Sequence, residues 1–423
     1  MIQELSLFNT KREFFLFLLF ILFIFSYSLL MELHNFKIFT QFDSSIVDAT
    51  VLKQYQKTKV TNRGTIKTYQ MLKLKSTKGF YFYTGADTSL ENIVGKRVHL
   101  ELYGGKITFY EYMSSFYAYS KILNIKETLK EQLNKNLASS HTDLNSTKIY
   151  QALYTATPLS KELQTNFSKL GISHLFALSG FHLGVLSAIL FFLLKLPYKF
   201  LQNRYFPYRN ANFDLFYMVL LLLFAYLLFL DSPASLLRSF TLLLVGFVLY
   251  DRGYKIISIQ TLLLTVLLLL SLFPRLLLEL GFWLSVSGVF SIFLFLLHFK
   301  HLSKKWQFFL LPLWVYLLML PLSLVIFGNF TLYHPLSILW STLFTLFYPL
   351  SILLHLTGFG DIFDDLLTSL ISLGETPVDI SLPNFTLYFS LLFASLSLWK
   401  KSFVWLLLLW SFSVFLFAMY QVV

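Results

Sequence analysis

The sequence predicts a polytopic α-helical membrane protein of about ten spans, one of them re-entrant or bent, with an external β-barrel domain of OB-like type near the N-terminus. Composition is the first reason. Hydrophobic residues make up 56% of the 423 residues, charged residues only 13%, and the mean hydropathy is +0.64. Soluble domains contain about 25% charged residues. The second reason is a block of alternating polar and apolar residues that follows the first apolar run.

Charge and cysteine content restrict the function. The formal net charge of +12 is high for a chain with so few charged groups, and it indicates a polyanionic partner or anionic lipid. There are no cysteines, which excludes disulfides, thiolate metal sites and a thiol nucleophile.

Residues 1–30 are predicted to form a cytoplasmic stub and a transmembrane anchor. The apolar run "FFLFLLFILFIFSYSLL", Phe14 to Leu30, follows Lys11 and Arg12 but has no small-residue cleavage site. We therefore expect it to be retained as an anchor and not removed as a signal peptide.

Residues 31–123 are predicted to form the external OB-like β domain. The predicted strands are "SSIVDATVLKQYQKT", "TIKTYQMLKLKS", "GFYFYTG", "KRVHLELYG" and "KITFYEYMSSFYAYS". These segments alternate with period two and are separated by glycines, and about five short strands fit a small barrel.

Residues 124–173 are predicted to form an amphipathic helical connector. Its last helix, in "SKELQTNFSKLG", is expected to be capped by Ser160 and to stop at Gly171. From Met31 to Ser173 there are 19 basic and 11 acidic residues, a net charge of +8, so most of the positive charge lies before the later spans.

Residues 174–423 are predicted to form a transmembrane domain of successive apolar runs. Basic residues are concentrated in alternate loops, which positive-inside counting places in the cytoplasm. These residues are Lys195, Lys199, Arg204 and Arg209, then Arg252 and Lys255, then Lys300, Lys304 and Lys305, then Lys400 and Lys401.

One segment does not fit this alternation. The loop around Gly328 and the acidic loop from Thr357 to Pro383 are both expected outside, although the run 332–356 separates them. We therefore predict that this run, which contains Pro335 and Pro349, is re-entrant or a bent pair of helices around a cavity or conduit.

The segment "LGISHLFALSGFHLGVL", Leu170 to Leu186, resembles the signature of the ComEC competence family. The segments "SPASLLRSFTLLLVGFVLYDR", "LFPRLLLELGFWLSVSGVFSIF" and "PLSLVIFGNFTLYHPLSILWSTLF" are similar to later blocks of that family, in the same order. The sequence looks like a short form of the family, because it contains no HxHxDH motif of the metallo-β-lactamase-like domain that many members carry.

The resemblance implies a multi-pass protein of the inner membrane that admits single-stranded DNA during natural transformation. It implies a periplasmic DNA receptor and a cytoplasmic helicase-like or DNA-processing protein as partners, besides membrane lipid, and it leaves a homo-oligomer open. No cofactor is expected, and the absence of a P-loop means that any motor is a separate protein or the proton gradient.

The motif residues Ser173, His174, Ser179, Gly180, His182 and Gly184 are the first candidates for lining a channel. Ser179 and His182 share a helix face, and Ser179 with Gly180 favours a helix break. The alternative is that the serine bonds its own backbone and the histidines pack in a protein core.

Further candidates for lining the channel are Asp231, Arg238, Trp283, Ser285 and Ser287. Arg238 is expected to form a pore-mouth pair with Asp231 or to contact phosphate, because an intramembrane charge usually has a partner. Alternatively it extends to the outer surface. Trp283 suits an interfacial belt, and the two serines suit tight helix packing or a pore wall.

Lysines and tyrosines are interleaved in the β domain, as a platform for single-stranded nucleic acid requires. The candidates for DNA binding are Lys73, Lys75, Lys78, Tyr81, Tyr83, Lys96, Arg97 and Lys106. Strand alternation implies that about half of the aromatic rings in this domain belong to its core.

Two other function classes stay open. A transporter or polymerase of lipid-linked glycans would share the long apolar runs and the basic external domain. An intramembrane serine protease would use Ser179 and His182, although two residues three apart on one helix are poorly placed as nucleophile and base. We expect a channel and not an enzyme, since no nuclease metal motif is present.

Overall fold

A long helix, a β-sheet and a bundle of apolar helices follow one another along the chain. The computed structural model describes residues 10–60, 66–103, 107–253, 258–373 and 378–422. Helix α1 (Lys11–Thr40) contains the predicted anchor and continues beyond it. Only Ile21 and Phe39 of α1 are buried, so the helix presents apolar side chains around most of its surface, as a lipid-facing span does.

The sheet follows α1 and, within the described residues, contains six strands in the order β5-β3-β2-β1-β4-β6. The strands are β1 (Ser45–Val60), β2 (Ile66–Ser76), β3 (Tyr81–Ala86), β4 (Arg97–Tyr103), β5 (Phe116–Tyr117) and β6 (Tyr119–Lys126). All ladders are antiparallel except the short one between β3 and β5. Alternate residues face a core with α1, as period two requires; the core includes Phe39, Val51, Leu72, Phe82 and Leu100.

The prediction of a barrel is wrong, because the sheet is open. Among the described residues, no backbone ladder joins the edge strands β5 and β6. The expected fifth strand is interrupted by helix α2 (Phe109–Met113), where Thr108 and Glu111 form a capping box. The chain then places β5 at one edge of the sheet and β6 at the other. Thr84 of β3 reaches Ser120 of β6 only through their hydroxyls, at 2.8 Å.

The connector, residues 124–173, contains the end of β6 and three helices. These are α3 (Leu129–Ser139), α4 (Leu144–Thr155) and α5 (Lys161–Lys169). The predicted limits of the last helix are confirmed. The Leu163 backbone N–H donates to the Ser160 hydroxyl at 3.4 Å, and Gly171 has a φ of +70°, which only glycine adopts readily.

Apolar helices form the rest of the chain. They are the short α6 (Ser173–Phe176), then α7 (Gly180–Tyr205), α8 (Ala211–Phe229), α9 (Ala234–Asp251), α10 (Ile259–Leu272), α11 (Leu280–Phe299), α12 (Lys304–Phe327), α13 (Ser337–Thr357), α14 (Asp364–Ser372), α15 (Phe385–Leu396) and α16 (Lys401–Val422). Within the described ranges, eight helices are long and apolar enough to cross a membrane, and α10 and α15 are shorter apolar helices.

The run 332–356 forms a 3₁₀ turn, His334–Leu336, and then the single helix α13. The prediction of a bent pair of helices is therefore wrong, while the re-entrant course stays a prediction. Strands β7 (Asn329–Phe330) and β8 (Val378–Asp379) pair with each other. The segment before α13 therefore lies next to the segment after α14. Helices α13 and α14 share an apolar core with the connector, including Tyr150, Phe167, Phe344, Tyr348 and Leu370.

Candidate functional site

The motif segment, Leu170 to Leu186, forms a tight loop before α7. Ser179 is the N-cap residue of α7, and its backbone N–H donates to Nδ1 of His182 at 3.1 Å. The Ser179 hydroxyl lies 3.0 Å from the same nitrogen. His182 is buried, and its ring contacts Tyr348 edge-on with the ring centroids 4.6 Å apart.

This geometry is that of a helix cap. Nδ1 of His182 already accepts the backbone N–H of Ser179. A catalytic base needs one nitrogen for the nucleophile and a partner on the other. In this structure Nδ1, the nitrogen nearest to the Ser179 hydroxyl, also accepts the helix-capping hydrogen bond.

The start of α7 packs directly against α9. The Ser235 hydroxyl donates to the carbonyl of Leu178 at 2.6 Å. A Cβ on Gly180 would lie 2.6 Å from Oγ of Ser239 and 3.4 Å from a guanidinium nitrogen of Arg238. Glycine is thus the residue that allows this approach, whereas a Cβ on Gly184 would meet no atom within 4 Å.

Arg238 is buried, at 4% exposure, and its neighbours are hydroxyls. Its Nε donates to Oγ of Ser285 at 2.8 Å, and Nη2 donates to Oγ of Ser239 at 2.9 Å. No carboxylate among the described residues lies within 4.0 Å of it. A buried charge without a counter-ion is costly, and these hydroxyls offset part of that cost.

Asp231 does not pair with Arg238. It lies in the turn between α8 and α9, where Asp231 and Ser232 both have positive φ. Its carboxylate is 3.8 Å from Nζ of Lys130 in α3, and its carbonyl accepts from Nζ of Lys75 at 2.6 Å. The connector and the sheet therefore both contact this turn.

The other predicted channel residues lie in separate places. Trp283 is 40% exposed, and its indole N–H donates to the carbonyl of Leu277 at 2.9 Å. Ser287 accepts from the Ser291 hydroxyl through its carbonyl. His174 is exposed, with Nε2 3.4 Å from Oγ of Ser341 in α13, and Ser173 begins α6.

A cleft of about 480 Å³ lies between the sheet and the apolar helices. Its wall on the sheet side contains four of the predicted DNA-binding residues, Lys75, Lys78, Tyr81 and Arg97. Asp231 and the first residues of α9 form the opposite wall, together with Glu32, Arg275 and Glu279. The cleft therefore joins the predicted nucleic-acid platform to the α8–α9 turn that precedes Arg238.

The other predicted DNA-binding residues have different surroundings. Nζ of Lys73 lies over the rings of Tyr81 and Tyr83, at 5.5 and 5.6 Å from their centroids. Lys96 instead forms an ion pair with Glu131 at 3.4 Å, and Lys106 lies outside the described residues. Burial lowers the pKa of Lys75, opposed by the nearby carboxylates of the cleft.

Arg275, between α10 and α11, was not predicted as a functional residue. Its guanidinium donates to both carboxylate oxygens of Glu32 in α1, at 2.8 and 2.7 Å, and to the carbonyl of Tyr112 at 2.9 Å. It also lies over the Tyr112 ring at 4.6 Å. The available signal was a cation between two apolar runs, in "LFPRLLLEL".

A second unpredicted cluster joins the connector to α13 and α14. His141 lies 3.0 Å from a carboxylate oxygen of Asp364 and 3.1 Å from Nε2 of His355. Tyr150 stacks on His141 with centroids 4.5 Å apart. Because these residues are far apart in sequence, histidine spacing alone could not indicate the cluster. No group of three or more potential ligands among the described residues could hold a metal ion.

The fold and this site define a multi-pass membrane protein whose N-terminal sheet is packed on a bundle of apolar helices. The family model described as "Competence protein" matches residues 155–422, which is more than half of the chain. The chain therefore belongs to the competence protein family, a family of channel-type membrane proteins that fits a role in DNA uptake for transformation. Searches of curated proteins and of solved structures gave no match.

Proposed function

We propose that this protein conducts single-stranded DNA across the inner membrane during natural transformation, with the cleft between sheet and helices as the mouth of the path. One observation carries the proposal. Four residues that the sequence predicts to bind DNA line the same cleft as the turn before Arg238. A path for a polyanion needs cations at its mouth and room for bases, and the cleft offers both.

The charges of the cleft favour an anionic ligand at its sheet wall. Glu32 is neutralised by Arg275, and Asp231 lies close to Lys130. Lys78 and Arg97 are exposed on the sheet wall of the cleft. Exposed cations next to a tyrosine ring can contact phosphates while a base stacks on the ring, without sequence preference.

Arg238 is suited to the next contact along the path. Its hydrogen-bond partners are the neutral hydroxyls of Ser239 and Ser285, which hold the guanidinium in place without neutralising it. A passing phosphate diester could thus pair with the charge and leave again, as conduction requires. A carboxylate partner would have occupied the charge permanently.

The course of α13 supports an external position for the acidic loop. The His334 ring lies against Gly171 before the start of α13, and His355 near its end contacts His141. Both ends of this helix therefore contact the same connector. We propose that α13 and α14 enter from the external side and return to it.

The cleft is tested with the full chain in nanodiscs of zwitterionic lipid. Binding of fluorescent oligo(dT) is measured by anisotropy over a series of salt concentrations, for wild type and for Lys78→Gln/Arg97→Gln. Because each lost phosphate contact removes about 0.7 from the slope of log K against log salt, the double variant should lose roughly 1.4. Its transformation frequency should fall as well.

The matched control is Lys57→Gln/Lys121→Gln, which removes two exposed charges of the same sheet that do not line the cleft. It should keep most of the wild-type affinity and slope. Equal losses in the two double variants would show that the cleft is not the contact. Wild-type protein that fails to bind oligo(dT) at low salt would contradict the proposed function.

A further inference from the structure

Three ionisable side chains link the connector to the end of α13 and the start of α14: His141 and Asp364 are buried, and His355 is partly buried. The two carboxylate oxygens of Asp364 lie 3.0 and 3.1 Å from Nδ1 of His141. Nε2 of His141 lies 3.1 Å from Nε2 of His355. Nδ1 of His355 lies 2.7 Å from the carbonyl oxygen of Ser351. The His141 side chain is fully buried.

The partners decide where the protons are. A carbonyl oxygen only accepts, so Nδ1–H of His355 must donate to Ser351. A carboxylate accepts as well, so Nδ1–H of His141 donates to Asp364. A neutral imidazole carries one proton, and both are then used at Nδ1. The two Nε2 lone pairs would face each other at 3.1 Å, which is repulsive unless a cation lies between them.

The proton count does not depend on which group is ionised. Three hydrogen bonds need three protons, and two neutral imidazoles supply two. If Asp364 were protonated and donated to His141, the total would still be three. The three hydrogen-bonded groups therefore contain one proton more than an ionised carboxylate and two neutral imidazoles. Together they have no net charge, which is the state that a buried site favours.

We propose that Asp364, His141 and His355 form a proton-binding site that fastens α13 and α14 to the connector only while one proton is bound. The bound proton forms an N–H···N hydrogen bond between the two Nε2 atoms, and 3.1 Å is an ordinary length for it. Loss of the proton leaves two lone pairs in contact and releases the end of α13.

A proton fits this site better than a metal ion. The described residues provide only two convergent ring nitrogens, whereas a zinc site requires three or four protein ligands. Asp364 lies on the far nitrogen of His141 and cannot join them. Burial raises the pKa of Asp364, opposed by His141, which agrees with a site that retains a proton.

Other titratable groups among the described residues also face the site. They are Asp143, Tyr150 and Tyr154 on the connector, Tyr348 on α13, and Asp361 in the 3₁₀ turn before α14. The hydroxyl of Tyr154 donates to Oγ of Ser351 at 2.8 Å and lies 3.3 Å from Nδ1 of His355. Asp143 and Asp361 add negative charge, which further favours a bound proton.

The sign of the pH dependence follows from linkage. The fastened state contains the bound proton, and the released state does not. The fastening is therefore complete at low pH and is lost as the pH rises and the proton leaves. If the proposed function holds, this site makes the position of α13 beside His182 depend on external pH.

The test uses the absence of cysteine in the chain. Cysteines replacing the exposed Ser139 and Thr357 carry spin labels on either side of the site, in the full chain in nanodiscs. Pulsed electron-resonance distances are recorded from pH 5.5 to 9. We expect one short distance at low pH and a longer distance at high pH, with a one-proton midpoint.

Asp364→Asn should lower that midpoint by about one pH unit or more, because it removes the charge that stabilises the bound proton. Asp365→Asn is the matched control, since this neighbouring carboxylate is exposed, and its midpoint should equal that of wild type. His355→Phe should give a pH-independent distance at equal expression and monodispersity.

Three results would overturn the proposal: a wild-type distance that does not change with pH, equal shifts in the two aspartate variants, or loss of the short distance at pH 6 on adding EDTA. The last would identify a metal ion in place of the proton. None of these measurements uses DNA, so their failure is distinct from failure of the proposed function.

Discussion

Replacing Gly180 by alanine tests whether the motif glycine is required for contact between α7 and α9. The added Cβ would lie 2.6 Å from Oγ and 3.2 Å from Cβ of Ser239. Oγ of Ser239 donates to the carbonyl of Ser235 and accepts from Arg238, so it cannot turn away without breaking two hydrogen bonds. Helices α7 and α9 must therefore move apart, and the hydrogen-bond partners of Arg238 must shift as well.

Two effects of opposite sign determine the result. Alanine favours a helix over glycine by up to about 1 kcal/mol, and by less at the first helical position. Overpacking of a well-packed contact costs about 1–3 kcal/mol. The net expectation is a loss of roughly 1–2 kcal/mol in the free energy of unfolding for Gly180→Ala, or a melting temperature lower by at least about 2 °C.

The assay is thermal unfolding of purified full-length protein, followed by fluorescence-detected size exclusion. Gly184→Ala is the control, because the added Cβ meets nothing within 4 Å and should be neutral or slightly stabilising. Ser239→Gly removes both close atoms, so it should rescue part of the loss in the double variant. Gly180→Ala as stable as wild type, with no coupling to Ser239→Gly, would refute the reasoning.

Three further predictions follow from other contacts. Glu32→Gln leaves Arg275 partly buried without a carboxylate and should lower unfolding stability by about 2 kcal/mol or more, measured by the same thermal assay. Gly171→Ala should cost more than Gly180→Ala, because its φ is +70° and its Cβ would lie 2.7 Å from the His334 ring; His334→Ala should restore only part. A topology reporter at Asp365 should indicate the external side, and an internal signal would contradict the re-entrant course.

Local sequence patterns predict the strands and helices that depend on neighbouring residues in the chain. Period two indicated β1 to β4, and Ser160 with Gly171 gave the limits of α5. The error at residues 109–113 is also local. Aromatic and β-branched residues favoured a strand there, but the capping box of Thr108 and Glu111 begins a helix, and the sheet consequently stays open.

Contacts between distant residues could not be read from the sequence. Glu32 and Arg275 are 243 positions apart, and His141 and Asp364 are 223 positions apart. Neither pair has a spacing that signals contact, because helix and strand periodicities extend over a few residues only. The position of Arg238 inside an apolar run indicates a functional charge, and the sequence predicts Asp231 or a phosphate as its partner. The structure gives Ser239 and Ser285 as its hydrogen-bond partners.

The N-terminal part of the chain makes charged contacts with the region that the family model matches, which begins at residue 155. Glu32 forms an ion pair with Arg275, and Lys130 and Lys75 contact the carboxylate and the carbonyl of Asp231. His141 contacts His355 at the end of α13. Each of these contacts places a charged or titratable group from upstream on an element inside the matched region. A change in the sheet or the connector, such as one caused by a bound strand or a lost proton, would therefore act directly on the turn before Arg238 and on the helix beside the motif. For this reason, variants of the matched region are best interpreted in the full chain, where the upstream partners of these charges are present.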